Sequence, residues 1–142
     1  MNGGFGLNDN EFSVYYLRGF IYDKEMDDYW VELPYVLECM FHEFSHPIVN
    51  NIVDKYFDLI DDPMVLYDIA MESNLHPGYS GSVRTVYYEY MVRSVAYVLN
   101  ITYYPEHELD MEYMSSIGFN LLEDFINVLS NNLEKYESFE EL

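Results

Sequence analysis

Apolar residues recur at helical spacing along most of the chain, and that pattern predicts helices before any chemistry is considered. "VRTVYYEYMVRSVAYVL", Val83 to Leu99, is the longest periodic segment and reads as a helix. A last helix is predicted over "MSSIGFNLLEDFINVLSNNLEKY", with Ile117, Leu121, Phe125, Val128 and Leu129 on one face. "PMVLYDIAME" suits a short helix, while "SNLHPGYSGS", with its proline, glycines and serines, reads as a loop. "NITYYPEHELD" reads as a connector.

The first part of the chain follows a different pattern. "EFSVYYLRGFIYD", Glu11 to Asp23, mixes β-branched and aromatic residues, which predicts one strand or two short ones broken near Gly19. Pro34 fits the first turn of a helix, where its missing N–H costs nothing, and the helix is expected to run to about His46. Pro47 cannot donate to the carbonyl of Glu43, so a kink or stop is expected there. "IVNNIVDKYFDLI" then resumes a helical period. The expected fold is α+β but mainly helical: a small N-terminal sheet, then four or five helices, in one domain over residues 1–142.

Composition narrows the partners. The net charge of −20 repels a phosphate backbone, and six basic residues form no cluster to overcome it, so nucleic acid is excluded as a partner. No segment approaches the ~18 consecutive apolar residues of a membrane span. The opening "MNGGFGLNDN" lacks the basic start and apolar run of a signal peptide. The chain as written thus reads as cytoplasmic, or as a domain of an exported protein. Its many aromatic residues are compatible with a homodimer. The single cysteine, Cys39, rules out an intramolecular disulfide and a cysteine-based zinc knuckle.

The chemistry concentrates in "LECMFHEFSHPIVNN". On a helix His42 and His46 lie one turn apart on the same face, so both imidazoles can point at one atom. Zinc accepts neutral imidazole nitrogen at ~2.0–2.1 Å, and two such ligands plus a carboxylate leave one position open for water. Glu43, beside the first histidine, can reach that water without binding the metal and take its proton. The expected cofactor is one Zn2+ per chain. Solvent-exposed histidines are the plainer reading, opposed by Phe41, Phe44, Ile48 and Val49 around the motif.

A third ligand has to come from elsewhere. A histidine six residues after His46 would mark the longer metzincin pattern, but that position is Ile52. Glu89, 43 residues beyond His46, is the strongest candidate, since Val86, Val92 and Ala96 share its helix face and a buried charge needs a partner. Arg93 at i+4 is the competing partner, through an ordinary ion pair. Glu72, His76, His107 and Asp54 are lesser ligand candidates, and Glu38 is placed to orient an imidazole. Tyr103, Tyr104, His107, His76 and Tyr79 are the candidates for stabilising an oxyanion.

His42, Glu43, His46 and, by placement, Glu89 resemble the pattern of gluzincins, zinc peptidases with His-Glu-x-x-His on one helix and a glutamate ligand on a later one. "HEFSHPIVN" and "GFNLLEDFINVLSNNLEKYE" also resemble an uncharacterised family of bacterial and archaeal zincin-like domains. The resemblance implies a zincin fold whose edge strand, "EFSVYYLRGF", holds the substrate by strand addition. It also implies zinc-dependent hydrolysis of a peptide or protein substrate. The rival expectations are a non-catalytic domain stabilised by zinc and a metal-free helical interaction module.

Overall fold

The structure, a computed structural model, describes residues 4–5, 14–15, 21–23, 28–30, 33–106 and 110–133, with side chains described for 36–106 and 110–132. The described residues form five α-helices: α1 (Leu33–Tyr56), α2 (Met64–Glu72), α3 (Val83–Tyr103), α4 (Met111–Ser116) and α5 (Leu122–Leu133). A 3-10 turn, Phe57–Leu59, closes α1. Among the described residues the expected N-terminal sheet is not found as one layer. Among the described residues there are only two separate antiparallel pairs, β1 (Gly4–Phe5) with β2 (Val14–Tyr15) and β3 (Ile21–Asp23) with β4 (Asp28–Trp30). Pairs of two- and three-residue strands are too short to make a stable layer. The architecture is therefore helical rather than α+β and zincin-like. Of the edge strand expected over Glu11–Phe20, only Val14–Tyr15 is described, paired with Gly4–Phe5, and the rest of it lies outside the described residues.

Three further expectations change. α1 runs unbroken through Pro47. Proline removes one backbone bond, to the Glu43 carbonyl, but the bonds on either side suffice to carry the helix on, and Asn51 Nδ2 donates to the Pro47 carbonyl at 2.7 Å. The single C-terminal helix divides at Gly118, and Asn100 to Tyr103, read as connector, form the last turn of α3.

α3 is the axis of the molecule, packing against α1, α2 and α5. Its apolar residues surround the helix instead of forming one stripe, which is the pattern of a buried helix. Val92 meets Val49 and Val53 of α1, while Val86 and Tyr90 join Leu66, Ala70, Leu122 and Ile126 in the main core. Ser82 caps α3, its Oγ accepting from the Thr85 N–H at 3.1 Å.

α2 and α4 end in the same way. In each, the two residues past the helix donate back to its last turn: Asn74 to Met71 and Leu75 to Ala70, and likewise Gly118 to Ser115 and Phe119 to Met114. This is the Schellman arrangement, which needs a left-handed residue followed by an apolar one that packs back. Asn74 (φ 57°) and Gly118 (φ 101°) supply the first, and buried Leu75 and Phe119 the second. The two caps also press together: a Cβ on Gly118 would lie 2.4 Å from the Leu75 Cα. Phe119 is thereby fixed against the face of α3 that carries Tyr90 and Arg93.

Candidate metal centre

The helical spacing of His42 and His46 brings their rings edge to face, with Nε2 atoms 3.2 Å apart. α3 supplies the third group across the α1–α3 interface. Glu89 Oε2 lies 3.7 Å from His42 Nε2, and Oε1 lies 3.6 Å from His46 Nε2. Donor atoms of the three residues all fall within 4.8 Å of one another. Ligands bound tetrahedrally to zinc at ~2.0–2.1 Å stand about 3.3 Å apart; the two imidazole nitrogens are at that spacing, and each is a few tenths of an ångström farther from one oxygen of Glu89.

The electrostatics suit a cation. His42 is pushed down to about 3, first by burial, then by the charge of Arg93 and by His46. It is neutral at pH 7, as a metal ligand must be, and its contact with Glu89 is therefore not an ion pair. Burial pushes the Glu89 carboxyl up, against the pull of Arg93 and His46, and the nearby charge of Glu43 adds to the rise. Glu89 is 9% exposed, and its Oε2 is buried without a hydrogen bond. The Arg93 guanidinium, 3.4 Å from that oxygen, is its charged neighbour, and a cation between the three donors would be a second one.

Arg93 takes part in this site but does not displace the histidines. Its Nη2 lies 3.4 Å from Glu89 Oε2, while its Nε is buried without a hydrogen bond. The guanidinium is held over two rings, with its Cζ 4.7 Å from the Tyr79 centroid and 4.5 Å from that of Phe119. The two candidate partners of Glu89 are thus present together. One carboxylate faces both the imidazoles and the guanidinium.

The other sequence candidates fall elsewhere. Asp54 accepts from Arg84 Nη1 at 2.6 Å and from the Tyr88 hydroxyl at 2.5 Å, tying α1 to α3 away from the histidines. Glu72 is exposed. Of the oxyanion candidates, Tyr79 reaches the site through Arg93. His76 is engaged in its own loop, where Nδ1 accepts the Gly78 N–H at 3.1 Å. Tyr103 stacks on Phe41, Tyr104 follows the end of α3, and His107 lies outside the described residues. Glu43 is half-buried on α1 beside His42.

Two contributors were not singled out from the sequence. Asn50 Oδ1 lies 3.3 Å from His46 Nδ1, and the i+4 spacing that linked the histidines was the available signal for it. The clasp of Tyr79 and Phe119 on Arg93 carried no sequence signal, because it joins a loop, a helix cap and α3. No helix of the described residues is long and apolar enough to cross a membrane. Comparison of the chain with protein-family models, curated proteins and solved structures finds no match.

Proposed function

We propose that this protein is a zinc-dependent hydrolase, with His42, His46 and Glu89 as the metal ligands and Glu43 as general base. The observation that carries the reading is the convergence of two imidazoles and one buried carboxylate: the His42 and His46 Nε2 atoms are 3.2 Å apart, and each lies 3.7 or 3.6 Å from a different oxygen of Glu89. Among the described residues three donors converge. Three protein ligands and an open position are the pattern of catalytic zinc, whereas structural zinc fills all four positions with protein. Bound zinc supplies Lewis acidity and lowers the pKa of water toward ~7.

The protein's own groups do the rest. His42 and His46 would offer lone pairs from their ring nitrogens, and Glu89 a carboxylate oxygen. Glu43, adjacent in sequence to a ligand, accepts the proton of the attacking water and passes it to the leaving group. Arg93, beside the carboxylate and backed by two rings, keeps a positive charge at the edge of the site. A peptide bond is the substrate we infer, on the likeness of His42-Glu43-x-x-His46 to gluzincin motifs.

The Glu89–Arg93 contact favours a second reading, in which the carboxylate serves the fold and the domain is non-catalytic or metal-free. Elemental analysis and a peptide-library assay separate the two. The hydrolase binds close to one zinc per chain, loses it in His42→Ala, and in Glu43→Gln keeps zinc while turnover falls 10²–10⁴-fold. Zinc-free protein at micromolar zinc, or a Glu43→Gln variant as active as its parent, would overturn the hydrolase.

A further inference from the structure

We infer that Asn50 is a positioning residue that fixes the hydrogen of His46 on Nδ1 and so leaves the Nε2 lone pair permanently facing Glu89 and His42. The inference rests on the metal-site reading above and extends it to a residue outside the ligand set. Asn50 sits one turn beyond His46 on α1, and its Oδ1 is 3.3 Å from His46 Nδ1. A carbonyl oxygen only accepts, so the hydrogen of that contact belongs to the imidazole. Its other nitrogen is then bare. That bare nitrogen is the one 3.2 Å from His42 Nε2 and 3.6 Å from Glu89 Oε1.

The same logic settles the metal-free pair. Two bare Nε2 atoms would repel at 3.2 Å, so His42 carries its hydrogen on Nε2 and donates it to His46. His46 is thus held in the tautomer that a metal ligand needs, whereas His42 would need its hydrogen on Nδ1 to offer the same atom. Free imidazole side chains favour hydrogen on Nε2, the arrangement that blocks binding through that atom. Partners on the far nitrogen hold metal-binding histidines in the other form, and losing one typically lowers metal affinity 10–100-fold. Asn50 does this from within the same helix, so the setting survives any movement between α1 and α3.

Two measurements test it. Long-range 1H–15N spectra of the metal-free protein should show His46 with hydrogen on Nδ1 in the parent and chiefly on Nε2 in Asn50→Ala. Competition titration with Co2+ should show Asn50→Ala binding 10–100-fold more weakly and Asn50→Asp, which keeps the acceptor and adds charge, at least as tightly as the parent. Hydrogen on Nε2 of His46 in the parent overturns the inference, because Asn50 would then be donating its amide. Unchanged Co2+ affinity in a folded Asn50→Ala also overturns it. A parent that binds no Co2+ but holds hydrogen on Nδ1 removes the metal site and leaves Asn50's control of the ring standing.

Discussion

Replacing Glu89 by glutamine keeps the shape of the side chain and removes its charge, which separates the carboxylate's service to a metal from its service to Arg93. In the metal-free protein the cost falls on Arg93. Its side chain is 14% exposed and would lose its nearby counter-charge. Breaking a buried pair by removing one partner costs 3–5 kcal/mol. Here the figure drops to about 1–3 kcal/mol, since the rings of Tyr79 and Phe119 still hold the guanidinium and the contact with Glu89, at 3.4 Å, is loose. The second effect is on zinc. At a concentration 100 times its Kd, zinc stabilises the parent by about 2.7 kcal/mol, or about 8–10 °C in Tm for a chain of this size. Outer-shell changes alone cost 10–100-fold in metal affinity, so losing the only anionic ligand costs at least about 100-fold. At the same zinc concentration the stabilisation then falls to about 0.4 kcal/mol, a shift of about 1–2 °C. Thermal melts with and without zinc read both effects. A Glu89→Gln variant that retains the full zinc-induced shift refutes the ligand assignment and leaves the carboxylate to Arg93. A metal-free melt equal to the parent's refutes the ion-pair reasoning.

Other expectations address the frame of the site. Gly118→Ala places a Cβ 2.4 Å from the Leu75 backbone at φ 101°, and should cost on the order of 3 kcal/mol or more in denaturant unfolding; a loss under 1 kcal/mol would show that the two caps yield easily. Pro47→Ala restores the N–H facing the Glu43 carbonyl, and should stabilise the protein by about 1–2 kcal/mol in the same assay, with no gain contradicting the account of α1. The hydroxyl of Tyr88, together with Arg84, holds the Asp54 carboxyl below its usual range. A depressed carboxyl contributes stability above its unfolded pKa of ~3.9 and loses it as pH falls through the folded value. The Tm difference between the parent and Asp54→Asn should therefore be steady above about pH 5 and shrink below pH 4; a difference independent of pH would remove the linkage.

Where the sequence was legible, the determining interactions are short-range. The loop over residues 73–82 and the existence of α2 and α3 follow from turn residues and helical period, and the structure has them at nearly the expected bounds. β-branched and aromatic residues satisfy strand preference without ensuring that the strands join into one sheet, and the described ones form only two separate short pairs. The C-terminal helix was read as continuous because periodicity spans Gly118, although a glycine at that point can adopt the left-handed turn that ends α4. Of the face assigned to that helix, Leu129 is buried and Val128 is exposed, since the break changes which residues α5 turns inward.

The sequence by itself determined that His42 and His46 share a helix face and that Glu43 stands beside them. Those relations depend on 3.6 residues per turn and nothing else. Only the tertiary structure decided that Glu89 meets the two imidazoles while Arg93 grips the same carboxylate from between Tyr79 and Phe119. That convergence is set by how α1 packs on α3 and by two helix caps pressing together, contacts between segments far apart in the chain whose geometry no local spacing encodes.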